Sequence, residues 1–428
     1  MKEKSSFYIL KKAYSSLDYI LFFLLIQIGW FSILLNIRRI DLAVFVIVFY
    51  IFYRRNKEIL FDSRIVIIFI IYALLAFVQG LIWGFSLISF TSSFLLGFLM
   101  PYYFFKVYKE DFLFILEKII YFLTIISLVI WIVHQAIPGA SELISKIILE
   151  VNKYNNSEIA RGIIFYTYWP RLDQDIGISR NAGFRSEPGA FAVFIILAIV
   201  INYVRNIKLY DRRNIIYYIA LLSTFSTAGY LALAALGLLL IKQKSFRLAG
   251  IILFPILAFA ASYAYNNLDF MKSKINQQYE IQTEVRLNEP TSGRFLGARK
   301  SLFVLSKYPL YGRGLLSRTK PTERSDPEYT EYGWLHEMSR FGIIFGGLFM
   351  FFFLRGLYYF VRSGGNGLYE YLVCSMSILI NLSSQTYITS PYFMIFFFMG
   401  LYKFNWRNFK YDYINSKLNN SLATRLDI

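Results

Sequence analysis

Long apolar runs separated by short polar punctuation dominate the chain. They fall at about 18–36, 40–53, 65–84, 87–105, 112–134, 188–204, 214–228, 229–241, 248–265, 338–360, 368–386 and 390–404. A bilayer core about 30 Å thick needs about 20 helical residues to cross it, so each run is a candidate span. The shorter runs must extend into flanking residues, tilt or re-enter. The pattern predicts an all-α polytopic membrane protein with about twelve transmembrane helices. Residues 1–404 read as one integral membrane domain and 405–428 as a short tail. Two polar stretches, about 135–187 and about 266–336, are too long to be simple turns.

Composition agrees with the pattern. Of 428 residues, 57% are hydrophobic and only 17% charged, with mean hydropathy +0.47. A soluble domain carries about 25% charge. The basic start, Lys2, Lys4, Lys11 and Lys12, leads into an apolar run with no small-residue cleavage site, so it reads as a first span rather than a signal peptide. Cys374 is the single cysteine, which excludes an internal disulfide.

The net charge of +18 would suggest nucleic acid on a soluble protein. Here the basic residues sit in short connections: Arg54-Arg55-Asn56-Lys57, Lys106 with Lys109, Arg205 to Arg213, Lys242-Gln243-Lys244, Arg362 and the tail from Lys403. Placing these in the cytoplasm satisfies the positive-inside rule, with Arg38-Arg39 the exception. Both termini are then cytoplasmic, both long loops extracytoplasmic, and nucleic acid is not a partner.

In the first loop, Ser141 to Val151 has apolar residues at helical spacing and predicts a surface helix. Tyr166, Tyr168, Trp169, Pro170, Asp173 and Asp175 follow. That mixture suits a sugar-binding surface and equally suits interfacial anchoring. The loop closes on Arg180-Asn181-Ala182-Gly183-Phe184-Arg185-Ser186-Glu187-Pro188-Gly189, where Pro188 suits a first helical turn and Glu187 the positive helix N-terminus. The second loop predicts a helix from Arg294 to Ser306, ending at Tyr308-Pro309-Leu310-Tyr311-Gly312-Arg313-Gly314.

Four pieces in order, Arg180 to Gly189, Phe225-Ser226-Thr227-Ala228-Gly229, Ser292-Gly293-Arg294 through Gly314, and His336 to Gly347, resemble the O-antigen polymerase and ligase superfamily, including Wzy-type polysaccharide polymerases. The match covers about 180–350 in motif and nearly the whole chain in topology. Family members carry an arginine in the second piece, where this chain has Ala228-Gly229, and His-Asn in the fourth, where it has His336-Glu337.

The resemblance implies a GT-C-like glycosyltransferase of the cytoplasmic (inner) membrane. Its expected partners are an undecaprenyl-diphosphate-linked glycan donor and acceptor, membrane lipid, a chain-length regulator and a flippase. The expected reaction is metal-independent, cofactor-free inverting transfer. An O-antigen ligase acting on lipid A core is the near alternative, and a lipid-linked sugar transporter the alternative from another class. The diphosphate calls for arginine forks, which nominates Arg180, Arg185, Arg294, Arg299, Arg313 and Arg340. For the base, His336 and Glu187 are the candidates, with His134, Asp173 and Asp175 behind them; an imidazole pKa near about 6.5 suits the role. Glu187 has a second reading, as the residue that fixes an arginine.

Overall fold

The structure is a computed structural model. It describes residues 14–27, 45–54 except 48 and 52, 62–83, 91, 94–137 except 110, parts of 149–168, 179–242 except 186, 207 and 208, 294–314 and 333–402. Runs 248–265 and most of 18–36 and 40–53 beyond these residues, Asp173, Asp175, Arg38-Arg39, Ser292-Gly293 and the tail lie outside the described residues.

The described chain is predominantly helical. Four helices are long and apolar enough to cross a membrane: Ser63–Ile82, Asp111–Ala136, Pro188–Arg205 and Gly333–Ser363. Among the described residues the helices are α1 Ser16–Gln27, α2 Ser63–Trp83, α3 Met100–Tyr108, α4 Asp111–Ala136, α5 Pro188–Asn206, α6 Arg212–Ser223, α7 Thr227–Gly237, α8 Leu239–Lys242, α9 Arg294–Lys307, α10 Gly333–Ser363, α11 Leu368–Ser383 and α12 Pro391–Leu401. A π-helical turn, Leu95–Leu99, runs into α3.

Helix α5 is the centre. Every residue from Pro188 to Val204 is buried, Asn202 included, against α4, α6, α7 and α11. A helix apolar on all sides belongs in the interior or in lipid, and α2 takes the second option. Ile67, Phe69, Ile70, Leu74, Phe77 and Leu81 of α2 stand exposed, an apolar surface that only acyl chains would cover at no cost. Helices α10 and α12 meet backbone to backbone. A Cβ at Gly356 would overlap the Phe396 carbonyl oxygen, and one at Gly400 the Phe352 carbonyl oxygen; small residues allow such close crossings of membrane helices.

Several boundaries differ from the apolar pattern. The break between runs 214–228 and 229–241 falls earlier, at Thr224–Ser226. Phe225 takes a left-handed φ of 49°, and Ser226 caps α7 by accepting from the Gly229 N–H at 3.3 Å. Residues 141–148 lie outside the described residues, but the helix expected through Val151 does not reach its end, because Leu149–Glu150 is a strand. That strand, β1, begins two small antiparallel sheets: β1-β4-β5 (Leu149–Glu150, Arg161–Ile163, Tyr166–Tyr168) and β2-β3 (Lys153–Tyr154, Ser157–Glu158). The all-α expectation is therefore modified in the first long loop, where Tyr, Thr and Ile favour strand.

Hydrogen bonds sort the helix ends into two groups. In one, Asp62 before α2 accepts from Lys106 Nζ of α3 at 2.8 Å and from Tyr402 Oη after α12 at 2.6 Å. Glu117 of α4 accepts from Arg213 Nη1 and Tyr217 Oη of α6, both at 2.9 Å. Tyr108 Oη at the end of α3 donates to Asp18 at the start of α1 at 2.7 Å. The first and last described helices thus share this end. The opposite group holds the last residues of α1, α4, α6 and α11 and the first of α5, α7, α10 and α12.

Candidate functional site

The corner before α5 is built around Asn181, which is wholly buried. Its N–H and Nδ2 donate to the Ser223 carbonyl and Oγ at 2.9 and 3.0 Å. Its Oδ1 accepts from Ser127 Oγ at 2.7 Å and from the Gly183 N–H at 2.9 Å. Gly183 sits at φ +59°, and a Cβ there would lie 2.7 Å from the Phe191 ring, so only glycine fits. Thr167 of β5 pairs by backbone with Ala182 and Gly183 at 3.1 and 2.8 Å, and its Oγ1 donates to the Arg185 carbonyl. Trp131 Nε1 and Gln135 Nε2 at the end of α4 donate to the Ser179 carbonyl at 2.6 and 3.1 Å. Three elements thus fix a segment that has almost no regular structure of its own.

Arg185 is not a surface fork. Its side chain is fully buried. Nη1 donates to the Ile26 carbonyl at 2.7 Å and Nη2 to Tyr387 Oη at 3.2 Å. The guanidinium also lies over the rings of Phe194 and Tyr387, 5.0 and 5.1 Å from their centroids. Taking a cation out of water costs several kcal/mol. The carbonyl end of α1 and two ring faces offset that cost. Arg180 and Glu187 are half-buried at the mouth of the same corner. Glu187 Oε2 accepts from Gln385 Nε2 at 2.9 Å.

The second arm is the loop after α9, folded against the start of α10. The N–H groups of Arg313 and Gly314 donate to the carbonyls of Ser339 and Arg340 at 2.8 and 3.2 Å, and the Ile343 N–H to the Pro309 carbonyl at 2.7 Å. These bonds exist because α10 is broken at Gly342, whose φ is 79°. The approach is so close that a Cβ on Gly312 would lie 2.5 Å from the Arg340 carbonyl oxygen. Gln79 of α2 locks the pair, its Nε2 donating to the carbonyls of Tyr311 and Arg340 at 2.7 and 2.9 Å. On the first turns of α10, Arg340 Nη1 reaches both oxygens of Glu337 at 3.0 Å. Arg313, Glu337 and Arg340 all act electrostatically on the His336 imidazole.

The turn between α11 and α12 joins the two arms. Gln385 holds Glu187, Tyr387 holds Arg185, and Thr389 Oγ1 donates to Glu337 Oε1 at 3.2 Å. Gly333, opening α10, lies against the carbonyls of Leu382 and Gln385 so tightly that no Cβ fits. The structure therefore brings together Arg180, Arg185, Glu187, Arg313, His336 and Arg340 at one end of the bundle. Arg299 is exposed on α9, and Arg294 opens α9 with its side chain beyond the described part. His134 is engaged elsewhere, its Nδ1 bonded with Tyr166 Oη at 2.7 Å and its ring edge-on to Tyr168.

Gln79, Gln385, Tyr387 and Thr389 escaped the sequence reading. The signal for three of them was present: Ser383-Ser384-Gln385-Thr386-Tyr387-Ile388-Thr389-Ser390 is a largely polar break before Pro391, the first half of which the apolar run to 386 absorbed. Gln79 had none, being one amide in an apolar helix. Among the described residues no three His, Cys, Asp or Glu side chains gather as metal ligands would. Chemically the site offers cations of fixed orientation, one carboxylate closed by an ion pair and a second held by a single amide. No protein-family model, curated protein or solved structure matches the chain.

Proposed function

We propose that this chain is a polytopic glycosyltransferase of the polysaccharide polymerase type, GT-C-like in architecture. It would join undecaprenyl-diphosphate-linked repeat units at the outer face of the cytoplasmic membrane. The observation that carries the reading is that described parts of the first, third and fourth motif pieces, and the residues beside the second, gather at one end of the bundle. The corner at 180–189 bonds to Ser223 beside the second piece, the loop 308–314 bonds to the fourth, and the turn at 385–389 ties first to fourth. The opposite end collects Arg205, Arg213, Lys106 and the first and last described helix ends, which by the positive-inside rule supports reading it as the cytoplasmic side.

In this reading the acceptor hydroxyl oxygen attacks the anomeric carbon from the face opposite the diphosphate. The C–O bond breaks with its electron pair on the diphosphate oxygen, and the hydroxyl proton passes to Glu187. Arg180, Arg340 and Arg313 stabilise the leaving charge, joined by Arg294 and Arg299 from α9. Arg185, buried beneath the corner, supplies fixed positive potential in a low-dielectric setting without touching solvent. His336 is the second proton acceptor the site contains. Deleting the gene should leave single-repeat glycans on the lipid carrier. Long but unattached chains would mean a ligase, and movement of lipid-linked sugar across a bilayer without chain growth would mean a transporter. Arg180→Ala and Arg294→Ala should each cut elongation by on the order of 10²–10³ at normal membrane levels, and lysine should not restore it.

A further inference from the structure

Two carboxylates face the site from different elements, and one short turn holds both. Glu337 is buried, its two oxygens accept from Arg340 Nη1, and Oε1 also accepts from Thr389. Both its oxygens are engaged and its charge is paired. Glu187 is half-buried and bonds through Oε2 to Gln385. Among the described residues nothing bonds to its Oε1. Gln385 and Thr389 are four residues apart on the turn Ser384 to Ser390, braced by the Ser390 N–H donating to the Tyr387 carbonyl at 2.9 Å. Gly333 packing on Gln385 keeps turn and α10 in contact.

We propose that this turn orients the two carboxylates and divides their roles, with Gln385 and Thr389 as positioning residues. Gln385 fixes Glu187 so that Oε1 points to the acceptor hydroxyl, and Thr389 keeps Glu337 turned onto Arg340 and away from proton transfer. An amide nitrogen can only donate, so the Gln385 bond uses a bare lone pair on Glu187 Oε2 and leaves Oε1 to face the site. The other charged or titratable groups at this end are Arg180 and Arg185 of the corner, Tyr387 of the turn, His336 and Arg340 of α10 and Arg313 of the loop. The inference rests on the glycosyltransferase reading above.

The test measures initial rates of repeat-unit transfer by the full chain in solubilised membranes, supplied with short-chain polyprenyl-diphosphate-linked repeat units, as a function of pH. Gln385→Leu should lower the rate roughly 10–100-fold, the size of one hydrogen bond to a charged group. It should also move the acid limb of the pH profile upward. Gln385→Glu keeps the side-chain size and should move the limb further, because adjacent carboxylates share a proton. Thr389→Ser should retain the rate and Thr389→Val lose it. A lowered profile with an unmoved acid limb marks a merely structural turn and overturns the positioning role. Full activity of Gln385→Leu overturns it while the enzyme reading stands. Absence of transfer by the wild type removes the reading and the inference with it.

Discussion

Glu117, Asp62 and Asp18 at one end of the bundle are held differently from Glu187 at the other. At the end carrying the basic connections, Glu117 is wholly buried between Arg213 at 2.9 Å, Arg205 at 3.6 Å and the Tyr217 hydroxyl. Asp62 is closed by Lys106 and Tyr402, and Asp18 by Ser15 and Tyr108. Apart from the local Ser15 contact, these ties reach the carboxylate from another helix, and both oxygens of each carboxylate are engaged. At the opposite end Glu337 is likewise ion-paired, to Arg340, but the other ties use amides, hydroxyls and backbone groups: Asn181 on Ser223, Gln79 on two carbonyls, Gln385 on Glu187. Such bonds fix geometry and leave charge available. A saturated carboxylate is a rivet between helices, whereas one held by a neutral donor keeps a lone pair for chemistry.

The largest expected effect comes from removing the available carboxylate. Glu187→Gln should cut chain elongation by about 10²–10⁴, the usual contribution of a proton acceptor, with the thermal midpoint in detergent unchanged. A large loss of stability instead would make Glu187 a rivet like Glu117 and erase the contrast. Glu117→Gln is the mirror experiment. It strands Arg213 and Arg205, and breaking a buried pair from one side costs about 3–5 kcal/mol, so unfolding should come earlier while the rate per folded molecule is kept.

Gly342→Ala probes the close approach on which the site's second arm depends. Gly342 sits at φ +79° against the Leu310 carbonyl, and backbone strain of that kind costs about 1–3 kcal/mol. The expected result is reduced stability together with reduced transfer, because the Arg313 loop loses its seat. The smallest effect is at Asp62, whose carboxyl is partly exposed. Burial pushes it up, but bonds from Lys106, Tyr402 and the Ile65 N–H, with the charge of Lys106, bring it below the usual 3.8. A lowered folded value means the stabilisation is complete above pH 3.8 and lost as pH falls through the lower folded value. Asp62→Asn should therefore lower stability by no more than about 1 kcal/mol at neutral pH, and the difference from wild type should vanish in strong acid.

Much of the helical framework was legible because lipid and a buried core impose the same demand, an uninterrupted apolar run. Runs 65–84, 112–134 and 188–204 became α2, α4 and α5 within a few residues. The corner at 180–189 was legible for a second reason: cations, a glycine and a proline beside an apolar helix have few other uses. Less legible were the strands at 149–168, since Ser141 to Val151 carries helical periodicity that local sequence cannot overrule. The break at Phe225 was misplaced by a few residues, because no Gly or Pro stands at 224–226 to announce its left-handed backbone.

By itself, the sequence determined a helical membrane protein, the side on which its basic connections gather, and the arginine-bearing segments that form no helix core. Hydropathy and charge act locally and are written residue by residue. Tertiary structure decided what those segments do to one another: that Arg185 is sealed under Tyr387, that Glu337 is occupied by Arg340, and that a polar turn late in the chain holds Glu187. Such pairings join residues up to 202 positions apart. Only packing of the helices brings them within hydrogen-bond reach.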